Sequence, residues 1–467
     1  MNRTGVITMT EIEEYLDQIP MWASKKNSLK DIRAYLEELG NPDESMKIIH
    51  VAGTNGKGSV CSYLTAVLTE AGYKVGTFIS PHLEHVRERF LMNGELVRED
   101  TYERAFYRVK KLSETMTARG YLPPTYFEFL FYMSMVINEQ CKPDFVVLET
   151  GLGGRLDVTN VIRKPQITVL TSISMDHMQY LGNTIEEIAG EKAGILKAEV
   201  PVIYDSSCQE SNAVVERRAK ELGCPMYPVA NKDYTFMRRD VKGTLIAVRT
   251  TDGGQLVLTV PSQAEYQMMN VTVAVRAICV LRRKGELWIS PEDIIRGIKR
   301  SYWPGRMEQV AENVYLDGAH NAGGVEALNR TIRRMQQETG KKVILMFGAV
   351  SDKDHHQMIQ KLCEGVTISQ VIIAHMDSKR CAETQQLAEE FRALFQEAGR
   401  CDGVTDAETE SAGGAKPSGE ITVRVFPTVR EAWNHFLREK GDDLAFCAGS
   451  LYLVGEVKTL LKEEDYD

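Results

Sequence analysis

The stretch MKIIHVAGTNGKGSVCSYLTA, residues 46–66, decides how the rest of the chain is read. Its first six residues, MKIIHV, form a β run, and the Gly-rich turn AGTNGKGS (52–59) follows directly. A helical pattern then runs from Ser59 to Ala71. A glycine-rich turn between a buried strand and a helix lets backbone N–H groups face one point, and the helix N-terminus adds positive potential there. Thr54, Asn55, Gly56, Lys57, Gly58 and Ser59 are therefore candidate phosphate-binding residues. Lys57 can reach the outer phosphates, and the Ser59 hydroxyl can ligate magnesium. The spacing departs from GxxxxGK[ST], because Gly53 stands only three residues before Gly56 and Gly58 separates Lys57 from Ser59.

Outward from this turn the pattern is strand, helix, strand, helix. KVGTFIS (74–80), DFVVLE (144–149) and ITVLTSI (167–173) are short apolar runs suited to buried parallel strands. Segments 101–119 and 125–141 are helical by apolar spacing. Residues 234–260 instead alternate, and TTDGGQ separates LIAV from LVLTV, which predicts a β-hairpin excursion. Helices are expected over about 264–284 and from Pro291 to Lys299.

SYWPGRME (301–308) places a domain boundary, and a second α/β series follows: VYLD, VILMFGAV, VIIAHM, ITVRVF and LAFCAGS. The expected architecture is α/β throughout. Residues 1–303 form a P-loop-type ATPase domain with a mostly parallel sheet, and residues 304–467 a smaller Rossmann-like α/β domain. The polar run 401–420 reads as a mobile surface loop.

At 467 residues the chain exceeds what a single hydrophobic core usually supports, so two domains are natural. A net charge of -9 argues against nucleic acid as the main partner. No apolar run reaches membrane-span length, and the first twenty residues lack the apolar stretch of a signal peptide. Nine scattered cysteines without a CxxC pair suit a reducing cytoplasm.

Three strand ends should deliver Ser80, Glu149 and His177 to one rim, because ligands of open α/β sheets bind beyond the carboxyl ends of the strands. Glu149 can hold a magnesium ion bridging phosphate oxygens, as Walker-B acids do. The following GLGGRLD suggests close backbone approach to a ligand. Thr125 and Glu128 have capping-box spacing at a helix start. By composition, Lys192 in TIEEIAGEKAGILK is an ordinary helix lysine.

Nine motifs occur in order: AGTNGKGS, ISPHLEHVRERFLMNGE, TYFEF, ETGLGGRLDVTN, TSISMDHMQYLGNT, EKAGILK, WPGRME, LDGAHN and AGSLYLVGE. Together they resemble the folylpolyglutamate synthase and dihydrofolate synthase family, relatives of the Mur ligases, over residues 20 to 465. The resemblance implies that Gly56 to Ser59 cradle ATP and that Asn270 touches adenine. It implies that Ser59, Ser80, Glu149 and His177 hold two magnesium ions. Lys192 would be carbamylated by CO2, which nothing but the resemblance supports at this stage. Arg306 and Asp317 would reach the nucleotide, His320 and Ser450 the incoming glutamate, and Thr125, Leu156, Asp157 and Val158 the pterin. The family often has Ala at the position of Val158, which weakens an inference about dihydropteroate, and often His at that of Tyr266.

The implied activity is ATP-dependent ligation of glutamate to folate through an acyl phosphate, with dihydropteroate as a further acceptor. Small-molecule substrates, no nucleic acid, no membrane and a monomer are expected. A Mur-type peptidoglycan ligase and a nucleotide-dependent switch without ligase activity are the competing readings. The 51 residues before Ala52 are too few for the nucleotide-sugar domain of the former.

Overall fold

The computed structural model describes residues 9–21, 25, 27–240, 242–397 and 421–464. The segment 401–420, read above as a mobile loop, lies outside the described residues. The chain divides into two units, Met1–Pro261 with Gln267–Tyr302, and Ser262–Tyr266 with Trp303–Asp467.

The first unit is built on an eight-stranded sheet. Its strands are β1 (Ile48–Ala52), β2 (Val75–Phe78), β3 (Phe90–Met92), β4 (Glu95–Leu96), β5 (Phe145–Glu149), β6 (Ile167–Leu170), β7 (Val202–Asp205) and β8 (Met226–Val229). The order is β4-β3-β2-β5-β1-β6-β7-β8. All pairs from β2 to β8 are parallel, and β3 and β4 add an antiparallel edge. IIHVA, FVVLE and ITVL are buried at every residue, the pattern of strands covered on both faces. Strand β1 lies between β5 and β6, so the turn after it sits where the strand order reverses, the usual ligand crevice of an open α/β sheet.

Helix Lys57–Glu70 begins directly after that turn. Helix Pro291–Arg300 lies against it so closely that a Cβ on Gly297 would stand 2.5 Å from the Val67 Cα. Arg296 and Arg300 both pair with Glu70, at 2.7 Å each, and fix the two helices end to end. Helix Tyr126–Cys141 is buried along most of its length, which is why its apolar residues surround the helix instead of forming one stripe.

The expected hairpin is a three-stranded antiparallel sheet, β9 (Tyr234–Asp240), β10 (Gly243–Arg249) and β11 (Gln255–Val260), in the order β11-β10-β9. Strand β9 escaped the sequence reading because YTFMRRD is largely exposed and shows no buried alternation. Strands β7 and β8 were missed as well. Each has only four residues, and β8 is partly exposed, so neither gives a long apolar run.

The second unit has six strands, β12 (Arg306–Ala311), β13 (Val314–Asp317), β14 (Val343–Phe347), β15 (Ile368–Ala374), β16 (Thr422–Phe426) and β17 (Leu444–Ala448), in the order β12-β13-β17-β14-β15-β16. Five are parallel, and β12 pairs antiparallel with β13. Its core gathers Val325, Leu328 and Ile332 from helix Ala322–Thr339 with Leu345, Phe347 and Phe446 from the sheet.

Candidate active site

In the turn after β1, Gly53 has φ +149° and Gly56 φ +88°, a region that disfavours residues with a Cβ. A Cβ on Gly53 would also lie 1.8 Å from the Thr171 Oγ1, in the segment after β6. Thr54 N–H donates to the Ser172 carbonyl at 2.8 Å, and the Thr54 hydroxyl donates to the Ser174 carbonyl at 3.1 Å. The turn is thus tied to the segment leaving β6. Gly56 is the N-cap residue of helix Lys57–Glu70 and has no side chain to satisfy the first N–H groups of that helix. Helix starts of this kind bind anions.

The Lys57 ammonium donates to the carbonyls of Gly53 and Thr54, at 3.2 and 3.1 Å. The Gly53 carbonyl also accepts from the Lys192 Nζ, at 2.8 Å. Two lysines from distant parts of the chain therefore meet on one oxygen. Composition suggested that Lys192 is an ordinary helix lysine, and the structure corrects this: it is 3% exposed. Burial first, and then the neighbouring Lys57 charge, hold its amine down at about 7. Asp176, Asp157 and Glu191 oppose that shift without overcoming it.

Glu149 ends β5 and is buried, accepting the Ser80 N–H at 3.1 Å. The carboxyl ends of β2 and β5 are thereby joined. His177, at φ 50°, stands beyond β6 with its Nε2 3.7 Å from the Asp176 Oδ2. Asp176, which sequence reasoning passed over, bonds the His177 N–H and adds negative charge near Lys192. Its only sequence signal was its place directly before His177 at a strand end.

Gln267 was also missed. Its Nε2 donates to the Ser59 Oγ at 3.1 Å, while its Oε1 accepts from Tyr63 OH and from the Asn270 Nδ2. A Cβ on Gly56 would meet the Asn270 Oδ1 at 2.4 Å, so Asn270 lies directly against the phosphate-loop candidate. One helical turn separates Gln267 from Asn270, and that spacing was the available clue.

Thr125 caps helix Tyr126–Cys141 in a full capping box, its N–H donating to the Glu128 Oε2 at 2.9 Å. The Asp157 carboxylate accepts the N–H groups of Gly151, Leu152 and Thr159 and the Thr159 hydroxyl. Burial pushes it above the usual carboxylate range, with the bonds from Thr159, Leu152 and Gly151 opposing. It organises the glycine-rich loop from within. Leu156 on the same loop is 71% exposed, whereas Val158 is buried.

Ser59, Ser80, Glu149 and His177 are the residues the sequence led us to expect around magnesium. Among the described residues, no group of three or more His, Cys, Asp or Glu side chains stands together as a metal site. Few protein ligands with a buried carboxylate and hydroxyls suit magnesium, which keeps water and phosphate oxygens in its shell.

In the second unit, Asp317 ends β13, fully buried. Its carboxylate accepts Tyr266 OH at 2.6 Å and the Met307 and Ala319 N–H groups at 2.9 Å each. Burial raises it, and the Arg306 charge opposes. His320 Nδ1 lies 2.7 Å from the Gly318 carbonyl, so that nitrogen carries the proton. The Gly449 N–H donates to the Ala319 carbonyl at 3.0 Å, bringing Ser450, at the head of helix Leu451–Glu464, to the same sheet edge. Arg306, Asp317, His320 and Ser450 thus gather at the carboxyl edge of this sheet. The four residues at the first sheet's edge belong to the other unit.

Residues 109–278 match the Mur ligase middle domain, and residues 305–451 match the Mur ligase, glutamate ligase domain. The dihydrofolate synthase/folylpolyglutamate synthase of Bacillus subtilis (strain 168) is 36% identical over 341 residues, covering 72% of this chain and 79% of that protein. The chain belongs to the folylpolyglutamate synthase/dihydrofolate synthase family of the Mur ligase superfamily. Among solved members, Mycobacterium tuberculosis folylpolyglutamate synthase complexed with ADP superposes with a TM-score of 0.81 at 25% identity, covering 97% of this chain and 98% of that one. A folylpolyglutamate synthase complex with AMPPCP and folate gives 0.79 at 26% identity, covering 97% of this chain and 100% of the other. The α/β architecture of both units is that of this family.

Proposed function

We propose that this protein joins L-glutamate to a folate at the expense of ATP, with dihydropteroate as a possible alternative acceptor to be tested. The observation that carries the reading is the pair Lys57 and Lys192 sharing the Gly53 carbonyl in a glycine turn that opens a helix. Relatives that share the arrangement of the chain are named for this reaction, and one is solved with an ATP analogue and folate.

A carboxylate resists attack by an amine, because its charge repels the electron pair and oxide is a poor leaving group. Transfer of the ATP γ-phosphoryl to the folate carboxylate gives an acyl phosphate, and the glutamate amine then displaces phosphate. Residues 56–59 hold the phosphates through backbone N–H groups, Thr54 braces the turn through the Ser172 carbonyl, and Lys57 offsets charge on the transferring group. Asn270 faces the adenine. Ser59, Ser80, Glu149 and His177 would hold magnesium, which when bound would supply further charge neutralisation. Two ions are the family expectation.

Lys192 takes a different part. A carbamate forms only on a neutral amine, and an amine held near 7 is neutral in a large fraction at physiological pH. Carbamylation by CO2 turns the side chain into an anion facing the phosphate loop. Thr125, Leu156 and Val158 contact the pterin side, with Asp157 shaping the loop that presents them. In the second unit, Arg306 and Asp317 serve the nucleotide, and His320 stands with Ser450 to receive glutamate.

Among the described residues no helix is long and apolar enough to cross a membrane. A reducing cytoplasm is the simplest setting for the eight described free thiols. Incubation with ATP, magnesium, glutamate and either a reduced folate or dihydropteroate, read by mass spectrometry, tests the proposal. A product heavier by one glutamyl residue is expected with the folate. Absence of any glutamylated product from both acceptors overturns the reading.

A further inference from the structure

A cavity of about 540 Å³ opens in the first unit, away from the phosphate turn, between helix Leu29–Glu38 and the segment 160–163. Lys30, Arg33, Arg163 and Lys197 line it, against the acidic Asp31 and Glu37. Asp31 is already engaged, capping its helix through Ser28. Arg33 is bonded to Asp43 at 2.7 Å, and Arg163 stands 3.8 Å from Glu44.

Lys197 is the informative residue. Its ammonium donates to the carbonyl and the side-chain oxygen of Asn160, at 3.0 and 2.7 Å. Both partners are neutral, and among the described residues Lys197 forms no ion pair. A half-buried cation without a counter-charge is costly, and burial, then the Arg218 charge, lower it to about 8. Leu29, Tyr121 and Ile162 add apolar lining. A volume of this size holds an organic molecule rather than a lone inorganic ion.

We propose that this cavity is a second, non-catalytic binding site for a small organic or condensed anion bearing several carboxylate or phosphate groups, seated on Lys197, Arg163 and Lys30. The Asn160 side chain, bonded to Lys197, also donates to the carbonyls of Arg155 and Gly194. An occupant therefore bears on the Asp157–Val161 turn, which adjoins the exposed Leu156.

Citrate and pyrophosphate are suitable probes of the two anion chemistries, titrated against the full chain by calorimetry. A saturating non-hydrolysable ATP analogue with magnesium keeps the phosphate turn filled. Saturable binding of at least one probe is expected, weakened about tenfold or more in Lys197→Met, since a charge-assisted contact is lost. The exposed pair Lys30→Gln with Arg163→Gln removes charge without touching the core. It should weaken the same probe with an unchanged thermal midpoint, so a misfolded Lys197→Met leaves the test intact. Citrate alone binding assigns carboxylates, and pyrophosphate alone assigns phosphates. No saturable binding of either, or binding unchanged in the surface pair, overturns the site. Glutamate ligation without the probe is expected to be normal in the surface pair, which separates this site's failure from failure of the proposed activity.

Discussion

The carboxyl edges of the two sheets are built from different materials. At the first edge Lys57 and Lys192 share one carbonyl beside a helix start, Glu149 ends β5, and Asp176 and His177 follow β6. At the second edge the Asp317 carboxylate is consumed by Tyr266 and two backbone N–H groups, with Arg306 nearby. His320 and Ser450 add no carboxylate there. Dense charge of both signs suits a place where phosphoryl charge must be held and moved. An edge with fewer charges and its one buried acid already satisfied suits recognition of a substrate. The contrast fits the proposed mechanism, in which the first edge activates the carboxylate and His320 and Ser450 receive the amine substrate.

The sharpest way to break this contrast is at Lys57. Lys57→Ala should lower turnover by about a thousandfold, the scale of removing a preorganised charge at a transferring group, while the unfolding midpoint stays near wild type. Near-normal turnover would remove the phosphate assignment from the first edge.

Lys192 comes next. Lys192→Ala should reduce turnover by about a hundredfold or more, and short-chain carboxylates should restore part of it by occupying the vacated space. Its stability signature is separate. The folded state lowers this amine from 10.5 to about 7, so the unfolded chain binds the extra proton between those values. Stability from this group is therefore full above 10.5 and is lost as pH falls through about 7. Lys192→Met should abolish that dependence and be at least as stable as wild type at neutral pH. A wild-type stability profile that is flat from neutral to alkaline pH once other groups are subtracted would contradict a neutralised amine.

Glu149→Gln keeps the hydrogen bond from Ser80 and removes the charge. Turnover should fall about tenfold to a hundredfold, and the magnesium concentration for half-maximal rate should rise. An unchanged magnesium requirement would take Glu149 out of the metal set. Smallest is Arg306→Ala, at the second edge. Turnover should drop about tenfold, with thermal stability within about 0.5 kcal/mol of wild type, as for other partly exposed side chains away from a core. Equal losses for Arg306→Ala and Lys57→Ala would erase the distinction between the two edges.

Much of this was legible in the sequence, and the reasons differ by region. The buried strands β1, β5 and β6 announce themselves as apolar runs, and the glycine turn is readable from its place between strand and helix. The strand ends likewise placed Glu149 and His177 on the rim. What escaped depended on distance in the chain. Lys192 looks like a solvent-facing helix lysine, because only the packing of segment 185–193 under the phosphate turn buries it. Gln267 reaches Ser59 across 208 residues, and no local pattern carries that contact. Asp157, expected at the pterin, is occupied by four bonds inside its own loop. A sequence can show that an acid is present but not that its lone pairs are already used.

The central claim is that the first edge activates a folate carboxylate by phosphoryl transfer. Its most direct test is a folate labelled with oxygen-18 in the reacting carboxylate, incubated with the enzyme, ATP, magnesium and glutamate, followed by mass analysis of the released phosphate. Transfer of one labelled oxygen to phosphate in each turnover is expected, because the acyl phosphate keeps a carboxylate oxygen when the amine displaces it. Phosphate carrying no label while glutamylated product accumulates would contradict the account.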